Sequence, residues 1–416
     1  MKRERVIVVG GGAAGFFAAI ACARENSNAD IAIYEKTSEF LTKVRISGGG
    51  RCNVTHACFE PRAMSANYPR GERELIAPLH RFDASDTVGW FEARGVKLKT
   101  EADGRIFPVT DQSATIVDCL VAEARDAGVQ LFTRRGVSTV KSFEPGGFEL
   151  TMTDGEKIAC DRLCLATGGC RNTSGAELAR SLGHSIEPPV PSLFSFQIAG
   201  DWLRELPGVS ADPVEVSIPG TSLRERGPLL VTHNGVSGPA ILRLSAWGAR
   251  ILRNMNYHFT LHANWLPDLT TSEIENTLQT FRTEHPKRLV ANLPMSPLPA
   301  RLWEQLASAA GIPPDTRFNS LRREAARKLA SLLARTEFQV TGKSLNKDEF
   351  VTCGGVRLRE VNLKTMESRI SPGLYFAGEL LDIDGITGGF NFQSAWTSGW
   401  IAGNAMAAGS TKKSPK

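Results

Sequence analysis

Three glycines near the start of the sequence have the spacing of a nucleotide-binding turn. Gly10, Gly12 and Gly15 form the pattern Gly-x-Gly-x-x-Gly directly after the apolar run Arg5–Val9. In such a turn the first glycine permits a tight bend, the second lets the backbone approach a pyrophosphate, and the third lets helix and strand pack closely. The helix that follows offers free N–H groups and the positive end of its dipole to the phosphates. The spacing predicts a dinucleotide site that includes Ala14.

An acidic residue follows at the position where a ribose would lie. Glu35 comes directly after a second apolar run, Ile31–Tyr34, in the same predicted strand–helix–strand unit. Its carboxylate can accept hydrogen bonds from both ribose hydroxyls, and Lys36 beside it is a further candidate contact. The alternative is that the glycines serve only a tight turn between strand and helix.

Further glycine clusters favour FAD, because that ligand is long and must be contacted again at its flavin end. Open parallel sheets place ligand contacts beyond the carboxyl ends of their strands. A helix start offers N–H donors to the flavin region that becomes anionic on reduction. The residues concerned are Thr167, Gly168, Gly169 and Gly378 at predicted strand ends, and Gly389, Phe390, Asn391 and Phe392 at a predicted helix start. Any one cluster alone could equally be a helix cap or a turn.

Other motifs give weaker predictions. His233, near Gly235 and Ser237, could move a proton near neutral pH, although a turn in which His233 caps a helix explains the same residues. The eight cysteines include no CxxC pair, which disfavours disulfide-reductase chemistry and leaves Cys52 as the thiol expected nearest the flavin. No second Gly-x-Gly-x-x-Gly follows a strand between 130 and 340, so NAD(P)H, if it is the electron donor, would bind transiently over the flavin.

The elements that position these residues alternate in type along the chain. A strand, a helix and a second strand cover 5–34, a glycine-rich loop without regular structure covers 38–56, and strands return over 129–169. Prolines at 188, 189 and 191 mark a boundary near 190, after which 192–264 is strand-like and 272–334 is helical. A buried strand at 374–378 and an apolar helix at about 392–407 resemble the first region again.

Composition limits the classes of protein. The 416 residues are 42% hydrophobic and 22% charged with a net charge of +5, values of a globular protein that do not imply nucleic acid binding. The sequence contains no run of 18 apolar residues, so we expect no transmembrane helix. The cysteines are scattered without paired spacing, which favours a reducing cytoplasm. We expect a small-molecule substrate and predict no metal site; the sequence does not indicate the oligomeric state.

Several long motifs resemble one protein family. The chain is similar to the aminoacetone-oxidase-like family of bacterial FAD-dependent oxidoreductases, often described as NAD(P)/FAD-dependent, within the glutathione-reductase-like flavoprotein class. The matching stretches are Val8–Gly15, Ile46–Thr55, Gly227–His233, Gly235–Pro239, Cys353–Val356, Glu360–Ser368, Pro372–Glu379 and Thr387–Ala395. The resemblance implies an α/β fold: a discontinuous Rossmann-like FAD-binding domain (1–190 and 336–409) with an inserted β-rich subdomain (191–268) and a helical subdomain (269–335), followed by a flexible tail (410–416).

The resemblance also implies further cofactor contacts. The loop from 43 to 55 would wrap the flavin, Val137 would contact adenine through its backbone, and Glu379 would bind a ribityl hydroxyl ahead of Asp382 and Asp384. The loop residues expected to contact FAD are Lys43, Ser47, Gly48, Gly49, Arg51, Cys52 and Asn53.

Two functions remain open at this point. The first is an FAD-dependent oxidoreductase that transfers a hydride between flavin N5 and an amine or an alicyclic substrate, with oxygen or NAD(P)H completing the cycle. The second is a flavin-containing binding or regulatory protein, associated with RNA through Arg317, Arg322, Arg323, Arg327 and Arg335, although arginines at helical spacing are more often a solvated face.

Overall fold

A computed structural model describes residues 3–143, 146–170, 174–200, 205–344 and 351–408. These residues form two compact units. The first contains the described residues up to Pro191 and those from Val351 onward, and the second contains those from Ser192 to Ser344.

The amino-terminal part of the first unit alternates strands and helices. In chain order these are β1 (Arg5–Val9), α1 (Ala13–Glu25), β2 (Asp30–Tyr34), α2 (Thr42–Gly50), β3 (Thr55–His56), α3 (Pro61–Ser65), α4 (Glu72–Leu79), α5 (Ala84–Glu92), β4 (Leu98–Thr100), β5 (Arg105–Pro108), α6 (Ser113–Asp126), β6 (Gln130–Phe132), β7 (Val137–Ser142), β8 (Phe148–Met152), β9 (Lys157–Cys160), β10 (Arg162–Leu165), α7 (Ser174–Ser181) and β11 (Val190–Ser192).

The second unit follows, and the chain then returns to the first. The elements of the second unit are β12 (Phe196–Ile198), β13 (Ser210–Ser217), β14 (Arg224–Thr232), β15 (Gly235–Ser237), α8 (Pro239–Trp247), α9 (Ala249–Asn254), β16 (Phe259–Asn264), α10 (Thr271–Glu284), α11 (Ala300–Ala309), α12 (Arg323–Ala334) and β17 (Thr336–Lys343), with 3₁₀ turns at Val290–Asn292 and Phe318–Ser320. The last elements of the first unit are β18 (Val351–Cys353), β19 (Val361–Asn362), β20 (Glu367–Ser368), β21 (Leu374–Phe376) and α13 (Phe390–Ala408), with 3₁₀ turns at Leu358–Glu360 and Gly378–Leu380.

A largely parallel sheet forms the centre of the first unit. Its strand order is β19-β20-β21-β10-β1-β2-β6, and the strands from β21 to β6 run parallel. From its second residue to its last, β1 is buried, as expected of a strand covered on both faces. The fingerprint turn lies at the carboxyl edge of this sheet, and the predicted Rossmann-like fold is confirmed.

A six-stranded closed barrel forms part of the second unit, in the order β12-β15-β14-β13-β16-β17. We predicted that the FAD-binding domain resumes at 336, but Thr336–Lys343 pairs with β16 and β12 and lies in the second unit. This strand alternates buried and exposed residues, which suits one face turned into a barrel. The helical segment 271–334 lies in the same compact unit as the barrel.

Helices α1 and α13 pack at unusually short range, which joins the two ends of the chain. A Cβ atom on Gly399 would lie 2.4 Å from the Ala14 carbonyl oxygen, and one on Gly403 would lie 2.3 Å from that of Ala18. The contact therefore excludes any larger side chain at these two α13 positions. Among the described residues, no helix is long and apolar enough to cross a membrane.

This packing makes a stability prediction. Gly399→Val should lower the free energy of unfolding by about 1–3 kcal/mol or more, because the added side chain must displace the α1 backbone. Gly89→Ala is the matched control: Gly89 is exposed in α5, and a Cβ atom added there would have no atom within 4 Å outside the adjoining backbone of its own helix. That substitution should stabilise by about 0.5–1 kcal/mol. Urea unfolding measures both, and equal stability of the two variants would contradict the packing argument.

Candidate cofactor site

Two of the fingerprint glycines are required by the protein's own backbone. Gly10 has φ +111° and its N–H donates to the Tyr34 carbonyl oxygen at 2.9 Å. A Cβ atom there would lie 2.3 Å from the Ala166 carbonyl oxygen, and one on Gly15 would lie 2.0 Å from that of Gly10. The absence of a side chain at Gly10 and Gly15 therefore allows α1 to pack closely against the sheet.

The middle glycine, Gly12, is not required by packing. Apart from Gly12 itself and its two chain neighbours, no protein atom lies within 4 Å of a Cβ built on it, and its φ of −93° is open to any residue. It is the N-cap of α1, and no side chain caps the helix start. Free N–H groups and open space at one helix end suit a pyrophosphate, so these residues fit the predicted dinucleotide.

Glu35 is held at the end of β2, beside this turn. Its carboxylate accepts hydrogen bonds from the Gly11 N–H at 2.9 Å and from the N–H and hydroxyl of Thr37, both at 2.8 Å. These hydrogen bonds fix the orientation of the Glu35 carboxylate beside the turn, as a residue that binds a ribose requires. Lys36 beside it is exposed, and Val137 is buried at the start of β7. The contact of Val137 with adenine stays a prediction.

The exit of β10 carries a buried hydroxyl without a partner. Among the described residues, Thr167 Oγ1 is buried and has no hydrogen-bond partner. Gly168 follows with φ +76° and open space around its Cβ position. A Cβ on Gly169 would lie 2.7 Å from Glu379 Oε1 and 2.3 Å from Thr352 Oγ1. A polar ligand at this strand end would satisfy the Thr167 hydroxyl, whose burial otherwise costs free energy.

Lys43 and Glu379 form an ion pair, although 336 residues separate them in the chain. The distance from Lys43 Nζ to Glu379 Oε2 is 2.5 Å, and Glu379 Oε1 accepts from the Thr352 N–H at 2.8 Å. Both oxygens are therefore engaged, and the pair brings α2 to the 3₁₀ turn after β21. Gly378, the first residue of that turn, has φ +70°.

The loop predicted to wrap the flavin is partly helical. We expected no regular element over 38–56, but α2 begins at Thr42 and is interrupted by non-helical backbone at Ser47, Gly48 and Gly49. The strand β3, Thr55–His56, also lies within that range. Gly48 and Gly49 have φ of +58° and +69°, a left-handed conformation that glycine adopts at least cost. The glycine run therefore ends a short helix and leaves open space at Gly49.

Asn53 connects this loop to the start of α13. With its amide oriented to satisfy both groups, it donates to the Thr55 carbonyl oxygen and accepts from the Gly389 N–H, each at 3.0 Å. Gly389 has φ +97°, and a Cβ there would lie 2.6 Å from the Thr55 carbonyl oxygen. Asn391 is fully engaged by the backbone of Gly385, at 2.9 and 2.8 Å. These two amides fix the start of α13.

Aromatic side chains surround the same helix start, and no pattern in the sequence indicated their contacts. The Phe390 ring stacks on His56 at 4.8 Å, and the Phe390 carbonyl oxygen accepts from the buried Tyr68 hydroxyl at 2.6 Å. Phe392 stacks on Trp396 at 5.6 Å. Because most of these partners are far apart in sequence, only the fold brings them together.

Two further predicted residues have structural partners. Arg51 Nη1 lies 2.6 Å from Glu101 Oε1, and its guanidinium stacks on Phe107 at 4.0 Å. Cys52 is completely buried, and burial raises the pKa of its thiol to about 12. Such a thiol stays protonated at neutral pH, which agrees with the absence of a redox cysteine pair in the sequence.

Two more predicted residues are Asp384, which has a structural partner, and His233, which lies in the second unit. Asp384 is fully buried and pairs with Arg70, with Nε and Oδ1 at 2.6 Å. The contact of Glu379 with a ribityl hydroxyl stays a prediction. His233 belongs to the second unit and is exposed in the turn between β14 and β15. It does not cap α8, whose N-cap is Gly238. Its role in catalysis stays a prediction.

The chain is similar to known proteins over nearly its whole length. The model of the HI0933-like protein Rossmann domain matches residues 4–405. The chain is 29% identical to the 3-dehydro-bile acid delta(4,6)-reductase of Clostridium scindens, over 97% of this chain and 99% of the relative. It is 32% identical to the ribosomal RNA dihydrouridine synthase of Escherichia coli K12, over 98% of this chain and 99% of that relative.

A solved structure shares the fold at low identity. The 3-ketosteroid-delta4-(5alpha)-dehydrogenase of Rhodococcus jostii RHA1 aligns with a TM-score of 0.53 and 16% identity, covering 97% of each chain. Fold and site together define an FAD-dependent oxidoreductase with a Rossmann-like cofactor domain. The chain belongs to the HI0933-like protein family. The narrower resemblance to aminoacetone oxidases stays a prediction.

The contrast between Gly12 and Gly15 gives a direct test of the cofactor site. Gly12→Val should fold with nearly wild-type stability yet lose FAD, because its side chain enters space that the fold leaves open. Gly15→Val is the matched comparison and should be destabilised by about 1–3 kcal/mol or more, because it meets the Gly10 carbonyl. Flavin absorbance after dialysis and thermal unfolding of the apoprotein measure the two effects. Full flavin occupancy in Gly12→Val would show that the open space serves another purpose.

Proposed function

We propose that this protein uses FAD to reduce a carbon–carbon double bond conjugated to a carbonyl group. One observation carries the cofactor part of the proposal: α1 begins uncapped at Gly12, where open space adjoins free N–H groups. FAD, when bound, supplies or accepts a hydride at its N5 atom.

The names of two relatives, each aligned with this chain over nearly its whole length, support the reaction class. A delta(4,6)-reductase of a 3-dehydro bile acid acts on double bonds conjugated to a 3-keto group. A dihydrouridine synthase acts on uracil, whose ring double bond is conjugated to a carbonyl. In both, one hydride and one proton add across the double bond. The polarised β-carbon takes the hydride, and the α-carbon takes the proton.

The chain's own residues would bind, orient and shield the reacting groups. The first turn of α1 would bind the pyrophosphate, Glu35 the ribose, and Glu379 a ribityl hydroxyl. The start of α13 would direct N–H groups and the positive helix end at the pole of the flavin that becomes negative. The buried rings around Phe390 would exclude water there. NAD(P)H is the proposed electron donor, bound transiently.

The reaction class can be tested in the absence of oxygen. The protein should purify yellow with bound FAD, and after chemical reduction its flavin should be reoxidised by a cyclic 3-oxo-4-ene or by uridine-containing RNA. The matched control is the corresponding 3-hydroxy-5-ene, whose double bond lacks a conjugated carbonyl. We expect at least a ~10²-fold slower reaction with the control, because its carbon is not polarised for hydride attack. Reoxidation by none of these, with bleaching of oxidised flavin by primary amines, would instead support an amine oxidase.

His233 is the proposed proton donor, and its substitution tests that role. His233→Ala should slow flavin reoxidation by the best substrate by about 10²-fold, the usual contribution of a general acid. The control is His258→Ala, since His258 is also exposed in the second unit. A rate within a few-fold of wild type in both variants would exclude His233 as the proton donor.

A further inference from the structure

His56, the last residue of β3, holds a backbone group just before α13. Its imidazole Nδ1 lies 3.0 Å from the Gly388 carbonyl oxygen, although 332 residues separate the two in the chain. A carbonyl oxygen can only accept a hydrogen bond, so Nδ1 carries a proton and donates. The Phe390 ring stacks on the imidazole with 4.8 Å between the ring centres. These two contacts fix both the orientation of His56 and its tautomer.

The peptide unit that joins Gly388 to Gly389 is held at both of its polar groups. Its carbonyl oxygen accepts from His56, and its N–H donates to the side-chain oxygen of Asn53 at 3.0 Å. Asn53 and His56 lie only three residues apart in the sequence. One short segment of chain therefore sets the orientation of this peptide.

This peptide needs such support because the residues on either side of it resist rotation weakly. Gly388 has φ +130° and Gly389 has φ +97°, conformations that favour glycine. Close packing requires glycine at the second position, where a Cβ atom would lie 2.6 Å from the Thr55 carbonyl oxygen. Neither residue has a side chain whose contacts could hold the peptide plane. Its orientation is thus left to the side chains of Asn53 and His56.

The direction of the Gly388 carbonyl affects the electrostatic potential at the start of α13. The first turn of a helix offers N–H groups without intrahelical partners, and these favour an anion. A carbonyl oxygen turned toward the same place would oppose them. The carbonyls that follow also have donors: that of Gly389 accepts from the Gln393 N–H at 3.0 Å, and that of Phe390 accepts from the Tyr68 hydroxyl at 2.6 Å.

We propose that His56 is a positioning residue for the flavin. By holding the Gly388 carbonyl, it keeps the start of α13 electropositive and makes the bound flavin easier to reduce. The inference rests on the proposed function, in which this helix start faces the pole of the flavin that becomes negative. Because that charge exists only in the reduced cofactor, His56 should strengthen the binding of reduced FAD more than that of oxidised FAD.

Two substitutions of nearly equal shape isolate the hydrogen bond of His56. His56→Asn keeps an N–H donor at the δ position and His56→Leu removes it, while both lose the ring that stacks on Phe390. At fixed pH and potential, His56→Leu should lower the ratio of reduced to oxidised FAD about tenfold, equivalent to ~30 mV for a two-electron couple. His56→Asn should restore most of this loss. Equilibration with a redox dye of known potential, followed by flavin absorbance, measures the ratio.

A second pair of variants displaces the imidazole without replacing it. A Cβ atom on Gly104 would lie 2.5 Å from His56 Nε2, so Gly104→Ala must move the ring and disturb its hydrogen bond. Gly95→Ala is the matched control. The two glycines have similar φ, +84° and +78°, but a Cβ on Gly95 would meet no atom within 4 Å apart from its chain neighbours. Gly104→Ala should lower the ratio as His56→Leu does, and Gly95→Ala should leave it unchanged.

The outcomes distinguish this inference from the proposed function. Equal potentials in His56→Asn and His56→Leu would overturn the inference. So would an equal loss of affinity for oxidised and reduced FAD, because a merely structural role weakens both forms alike. Failure of the wild type to bind FAD would overturn it together with the cofactor part of the proposed function. Failure of the reduced wild type to react with the cyclic 3-oxo-4-ene would contradict only the proposed reaction.

Discussion

The uncapped first turn of α1 is the constraint on which the rest of the first unit depends. Free N–H groups at a helix end are costly unless water or a ligand satisfies them. The structure keeps this end open at Gly12 while closing the positions on either side of it, Gly10 and Gly15, against backbone oxygens. The fold therefore gives up local stability for a place where an anion can approach the backbone.

Long-range contacts join distant parts of the chain within the first unit. The ion pair of Lys43 with Glu379 and the hydrogen bond between Asn53 and Gly389 each span more than 330 residues. The buried Gln393 adds a third connection, because its side-chain oxygen accepts from Thr55 at 2.6 Å and from Thr87 at 2.9 Å. These contacts explain how one cofactor domain can be assembled from two separate stretches of sequence.

The sequence predicted those parts of the site whose residues lie close together in the chain. The fingerprint glycines, the strand before them and Glu35 lie within one strand–helix–strand unit, and the structure places them as expected. The partners of Arg51 and Phe390 could not be predicted, because Glu101 and His56 become neighbours only through tertiary packing. The position of β17 in the barrel was also not predicted. Alternating apolar residues show that one face of a strand is buried, but they do not show to which sheet the strand belongs.

A crystal structure of the protein purified with FAD would test the central claim most directly. We predict density for the pyrophosphate at the first turn of α1, with phosphate oxygens about 3 Å from backbone N–H groups near Gly12 and the adenosine ribose at Glu35. The isoalloxazine ring should lie at the start of α13, beside Gly389. A pyrophosphate bound elsewhere, with the space at Gly12 filled only by water, would contradict this claim.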